Sequence, residues 1–275
     1  LDLTIYNDTV LDLLDPKSPL EKWGTGYHFT EGPVYHSGVW YFTDFMLNKI
    51  YRMELGKVKL INDDSHFTIG MTYDRMKKRI LCCTRDLRAI TDLDRNVIVN
   101  SYNGIPINGS NDIIVDSKGL IYFTDPLSRK IEGVQVGHSS VFRYDESSAG
   151  LEMIEATLNY PNGLALSVEE KTLYIIDTSS YSIFQLDLTK KSLSLFFKMD
   201  EKMGAGKPDG MRLDERGNIY STGPGGIWII SPDGTLLGHI RVPEIAANLC
   251  FDDTGLFITA STGIYHVDAK IRAAV

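Results

Sequence analysis

Cysteine is scarce. The 275 residues hold three, Cys82, Cys83 and Cys250. That number builds no disulfide framework, and no Cys-x-x-Cys or Cys/His cluster supplies a zinc site. Cys82 and Cys83 are adjacent in a run that reads as a buried strand, so small core residues in a reducing compartment are expected. Long apolar runs are absent too. Nothing approaches the roughly 18 residues that a membrane-spanning helix needs. Basic residues are outnumbered, 28 Lys and Arg against 36 Asp and Glu, for a net charge of -8. That balance disfavours nucleic acid and anionic membrane as partners. No signal-like segment opens the sequence. Cysteine usage favours the cytoplasm, and the start at Leu1 keeps secreted and periplasmic settings open. Two Asn-x-Ser/Thr sequons, at Asn7 and Asn108, are best read as chance.

Helical periodicity is also missing, and a repeated phrase stands in its place. The clearest copy is KPDGMRLDERGNIYSTGPGGIWIISPDG, residues 207–234. It reads as a slot residue, a buried strand, a turn, a second strand, a glycine turn and a third strand. Further copies begin at Glu31-Gly32-Pro33-Val34, Asn111-Asp112-Ile113-Ile114, Asn162-Gly163-Leu164-Ala165 and Asn248-Leu249-Cys250-Phe251. A weaker one begins at Ile69-Gly70-Met71-Thr72. A period of about 40 residues built from short alternating strands signals a β-propeller blade. KVKLIN, NVIVNSY, LEMIEATL, SLSLFF and TLLGHIRV supply an outer strand for five copies. For the last copy, residues 20–26 from the chain start fill that place. The expectation is an all-β, six-bladed β-propeller closed by an N-terminal strand, which leaves no long exposed edge. Residues 20–275 form the single domain, and 1–19 form an irregular or briefly helical lead over the closure.

The slot positions carry the chemistry. They open the innermost strands and so face one mouth of the central channel. Glu31, Asn111, Asn162 and Asp209 offer four oxygen donors, two anionic and two neutral. Such a set suits a hard divalent cation, with Ca²⁺ or Mg²⁺ first. Imidazole and thiolate are lacking, which argues against zinc. A site of this kind keeps room for water and a substrate oxygen, and Asp209 is placed to act as base. The other reading is a cation that only plugs the channel. Asn248 reads as a ligand or as a hydrogen-bonding support for one. Ile69 can do neither. Near it, Arg85 and Arg88 read either as holders of a substrate oxygen or as a solvated turn. Asp44, Asp125 and Asp177 each end a second strand and read mostly as turn caps. Asp125 is kept as a site candidate because it opens the longest insertion, 127–140, itself read as a lid or pocket wall. His138 in that insertion is a weaker candidate, with a surface histidine as the plainer reading.

These motifs together resemble the SMP-30/gluconolactonase/luciferin-regenerating-enzyme-like family, nearest to its bacterial-type gluconolactonases. EGPVY at Glu31, NGSNDIIVDSKGLIYFTDP from Asn108, YPNGLALS with Asn162, KPDGMRLDERGNIY with Asp209 and VPEIAANLCF with Asn248 carry the likeness. The resemblance implies a six-bladed propeller with a divalent metal at the channel and hydrolysis of sugar lactones or related esters. It implies Glu31, Asn162 and Asp209 as metal ligands, Asn111 as a fourth or water-mediated ligand, and Asp209 as acid/base. Arg88, Asn108, the 127–140 insertion, Asp125, His138 and Asn248 would position a small lactone. Ca²⁺ is the first choice of metal, with Mg²⁺, Mn²⁺, Zn²⁺ and Fe²⁺ as alternatives. The chain departs from the pattern at Ile69, where the family carries Asn. It departs again at Cys83-Thr84, where a Glu-His pair is usual, and at Gly109, where one branch has arginine. These departures place the substrate in question and keep two other functions open. One is hydrolysis of another ester or phosphotriester, and the other is a binding propeller with a structural metal. The oligomeric state is not legible.

Overall fold

Each repeat folds as an antiparallel meander, because its apolar and β-branched residues alternate with polar ones and its turns carry Gly, Asn and Asp. In the computed structural model, residues 1–127, 133 and 136–274 are described. Six sheets of four or five strands surround a channel, with a separate two-stranded hairpin beside them. The innermost strands are Thr30–His36, Thr68–Asp74, Ile113–Val115, Pro161–Leu166, Met211–Leu213 and Ala246–Phe251, for blades one to six. Apolar clusters fill the wedges between blades, as where Leu81, Cys83 and Ile90 of blade two meet Ile113, Phe123 and Phe142 of blade three. All three cysteines are free and buried, as expected. Among the described residues no helix is long and apolar enough to cross a membrane.

The closure follows the sequence reading. Glu21–Thr25 pairs antiparallel with Gly263–Asp268 and completes blade six. Trp23 stacks on His266 at 4.0 Å and meets Trp40 of blade one edge-on at 5.6 Å, so one indole covers the seam.

Three expectations change. The first nineteen residues do more than cover the closure. Leu3–Ile5 adds a fifth strand to blade five by pairing with Leu236–Arg241. The 3₁₀ turn Asp8–Asp12 then places Val10 in the same core cluster as Leu13 and Leu14. This lead is therefore part of the fold, and its three-residue strand is too short to show a period. The NVIVNSY segment splits. Val97–Val99 stays in blade two, whereas Ser101–Tyr102 pairs with Ile105–Pro106 in the separate hairpin. Blade six is shifted by one residue. Glycines after the slots of blades one, two and four lie against the slot carbonyls of Ile69, Asn111 and Asp209. In blade five the corresponding amide, Gly210, donates to Ala247. The slot of blade six is thus Ala247, and Asn248 stands one place further along the channel.

The closure has an electrostatic pin. Glu244 accepts from Lys22 at 2.7 Å, from the Tyr265 hydroxyl at 2.6 Å, and from the amide and hydroxyl of Thr262. Burial would raise its pKa, but these donors outweigh burial and hold it at about 2, against an ordinary 4.5. A depressed carboxylate stabilises the fold above its unfolded pKa and loses that contribution as the pH falls through the folded one. Glu244→Gln should therefore cost about 1–2 kcal/mol near neutrality, a figure reduced for the exposure of Lys22. The gap in thermal midpoint between variant and wild type should shrink as the pH is lowered from about 5 toward about 3. A gap that stays constant over that range would show that Glu244 acts by shape alone.

Candidate active site

The channel ring is built from backbone before any side chain acts. The Gly70 amide donates to Asn111 O at 2.9 Å, Gly163 to Asp209 O at 2.7 Å and Gly210 to Ala247 O at 2.8 Å. These bonds join blade two to three, four to five and five to six at the slot. Strand-end carboxylates hold the loops that lead into it. Asp44 accepts the amides of His28 and Phe29, Asp125 those of Asn108 and Gly109, and Asp177 those of Asn159 and Tyr160. Asp125 thus repeats the turn-cap role of its two counterparts. Each of its oxygens accepts one of these backbone amides, which positions the turn into the slot.

Glu31 is 3% exposed and the carboxylate-bearing Asp209 is partly exposed. Burial, and then the charge of Asp112, push the Glu31 carboxyl up to about 7, against lowering from the Gly32 amide, Asn248 and Arg212. Burial and the charges of Glu31 and Asp112 push Asp209 up as well. The three carboxylates therefore share one electrostatic neighbourhood, and a cation among them would relieve the repulsion.

Hydrogen bonds fix which atoms point where. Oε2 of Glu31 accepts the Gly32 amide at 2.6 Å and Asn248 Nδ2 at 3.1 Å. That arrangement leaves Oε1 for a ligand. Asn248 Oδ1 accepts the Leu249 amide at 2.9 Å, so its NH₂ faces Glu31. Asn248 therefore orients Glu31 and presents no oxygen to a cation. Asn162 is held differently. Thr178 Oγ donates to Pro208 O at 2.8 Å, so it can only accept from Asn162 Nδ2, 3.0 Å away. The Asn162 NH₂ is thus held by Thr178, and Asn162 also hydrogen-bonds the Asp209 carboxylate, opposing the rise in its pKa. Asn111 is buried and held by its backbone, with N–H to Thr124 O and C=O to Gly70.

The remaining candidates are spread more widely. Asn108 is fully buried and donates to the carbonyls of Asp125 and His138, which also rules it out as an accessible sequon. Arg88 donates to Pro106 O and Ile107 O, just before that turn. The His138 ring is exposed and lies 3.1 Å from Ser140 Oγ. Ile69 is buried at its slot, and the guanidinium of Arg85 lies over the ring of Phe45. Half of the 127–140 insertion, read as a lid or pocket wall, lies outside the described residues.

Among the described residues no three His, Cys, Asp or Glu side chains form a group able to hold a metal. A cation here would rest on two carboxylates, Glu31 and Asp209, completed by the amide oxygens of Asn162 and Asn111. The donor set fits a hard cation, and the raised carboxyl pKa values fit a place where positive charge is wanted. Sequence reasoning missed Asp112, Arg212 and Thr178. Arg212 had a signal: it is the one charged residue at a repeat position filled elsewhere by Val34, Thr72, Ile114, Ala165 and Cys250.

Comparison with known proteins places this geometry. Residues 29–262 match the model of the SMP-30/Gluconolactonase/LRE-like region. A curated gluconolactonase of Zymomonas mobilis is 36% identical over 207 residues, which is 66% of this chain and 58% of that enzyme. The match thus spans little more than half of that relative's length. A solved gluconolactonase structure from Xanthomonas campestris superposes with a TM-score of 0.90 at 27% identity, covering 98% of this chain and 95% of that one. A luciferin-regenerating enzyme shares the fold, with a TM-score of 0.78 at 20% identity over 93% of this chain and 97% of that one. With the family model covering most of its length and its slot residues lying on one ring, the chain belongs to the SMP-30/gluconolactonase/LRE-like family.

Proposed function

We propose that this protein is a lactonase that depends on a divalent metal ion, Ca²⁺ by first choice. The observation that carries the reading is the pair of carboxylates at the slot, buried Glu31 and half-buried Asp209. Both have raised pKa values, and Asn162, whose amide Thr178 holds, hydrogen-bonds Asp209 beside them. The Zymomonas and Xanthomonas relatives are named gluconolactonases, which supports lactone hydrolysis by this chain.

Glu31 Oε1, Asp209, Asn162 Oδ1 and Asn111 would hold the cation. A bound divalent cation supplies Lewis acidity toward the lactone carbonyl oxygen. Asp209 accepts the proton of the attacking water at a carboxylate oxygen. It returns that proton to the alkoxide released when the acyl–oxygen bond breaks, and the product is a hydroxy acid. Burial favours this exchange, because a carboxylate held up by its surroundings is a stronger base than one in water. Asn248 and the Gly32 amide keep Glu31 from rotating. Blade two contributes no hydrogen-bonding side chain at its slot, Ile69, so the substrate panel should contain both aldonolactones and alkyl-substituted lactones.

Proton release from that panel on chelator-stripped protein, before and after Ca²⁺, tests the reading. Asp209→Asn should lower turnover by about 10²–10⁴-fold while the protein stays folded. Near-native turnover would remove Asp209 from the chemistry. Thr178→Val should weaken Ca²⁺ binding about tenfold by freeing the Asn162 amide. An unchanged dissociation constant would show that Thr178 does not aim the ligand.

A further inference from the structure

One layer below the slot ring, the inner strands present a second ring. Its members lie opposite equivalent positions of the neighbouring strands: Val34, Thr72, Ile114, Ala165, Arg212 and Cys250. Four are apolar, one is threonine, and Arg212 is the one charged member. A guanidinium in such a layer is expensive unless it is paired. Arg212, with its side chain 18% exposed, donates to Met211 O at 2.7 Å and lies 3.4 Å from Asp112 Oδ2. Asp112 is 1% exposed, and its other oxygen accepts the Ile113 amide at 2.9 Å.

Asp112 has its own irregularity. The position after the slot is glycine in blades one, two, four and five, namely Gly32, Gly70, Gly163 and Gly210. Only blades three and six place a side chain there, Asp112 and Asn248. Asn248 turns to Glu31, and Asp112 turns to Arg212. On the far side Arg212 lines a cavity of about 670 Å³ at the opposite channel mouth, among Tyr35, Tyr73, Ile114 and Cys250. The ion pair thus forms the floor between the slot ring and that cavity.

We propose that the Asp112–Arg212 pair is a built-in counter-charge that sets the strength of the metal site above it. The inference rests on the metal reading of Glu31 and Asp209. Three carboxylates without Arg212 would overbind a divalent cation and repel one another in its absence. Arg212 cancels one of them, so two negative charges face a doubly charged ion. Arg212 touches neither substrate nor cation in this account and acts through Asp112 as a positioning residue.

Calorimetric Ca²⁺ titration of chelator-stripped protein tests the pair through the sign of each change. Asp112→Asn leaves the guanidinium uncompensated under the ring and should weaken binding about tenfold or more. Arg212→Met should tighten binding while lowering the thermal midpoint of the metal-free protein. The double variant should return to within about threefold of wild type, and Arg212→Lys should stay near it. If Arg212→Met does not fold, Asp112→Asn against the double variant reads the same sign. A purely structural pair would shift stability in every variant without opposite shifts in affinity, and that result would overturn the proposal. Binding by wild type with unchanged affinity in Asp112→Asn would overturn this inference alone. No Ca²⁺ binding by wild type would overturn the metal reading and this inference together.

Discussion

Backbone meets backbone around the channel, and the rest of the structure depends on that contact. A Cβ added at Gly32 would lie 2.1 Å from Ile69 O, one at Gly70 2.5 Å from Asn111 O, and one at Gly163 2.3 Å from Asp209 O. No side chain fits at those places without parting the blades. The slot carbonyls of Asn111, Asp209 and Ala247 each receive an amide from the preceding blade. Four donors far apart in sequence are carried on one rigid ring, and no long loop is needed to assemble them.

That rigidity holds groups where water would otherwise favour their charged forms. Glu31 and Asp209 are short of solvent, and the charge of Asp112 raises both while that of Glu31 also raises Asp209. In the metal-free protein this arrangement costs stability as the pH rises and both tend to ionise, since each has a folded pKa above its unfolded one. A smaller cost of the same kind falls on Asp125, whose carboxyl burial raises to about 6 against the lowering of the Asn108 and Gly109 amides. Other buried carboxylates are well occupied: Asp44 and Asp177 by paired amides, and Asp252 by His266 at 3.0 Å and by Trp40. The contrast between satisfied structural carboxylates and the strained pair at the slot marks the site.

The repeat made much of this legible. The phrase around Asp209 recurs with its strand, turn and slot in order, so the blade number, the closing strand and three of the four proposed ligands could be read in register. Asn111 joined them on the same grounds. Legibility failed where a residue departs from the repeat. Asn248 looks like a slot residue by type, but it stands one place after the slot carbonyl of Ala247, and its amide donates to Glu31. Asp112 hides beside Asn111 in a pair that reads as an ordinary turn. Thr178 lies at the end of a different strand from the Asn162 it orients, and only the folded chain brings them within 3.0 Å. Leu3–Ile5 is too brief to carry a pattern.

The central physical claim is that Glu31 and Asp209 hold protons until a cation takes their place. Ca²⁺ titration at about pH 6.5, repeated in buffers of different ionisation enthalpy, counts those protons directly. With Glu31 pushed up to about 7 and Asp209 also raised, binding should release protons, and the observed enthalpy should change with the buffer. Binding enthalpies that do not depend on the buffer would show the carboxylates already ionised, and would contradict the account of the slot ring as a site built for positive charge.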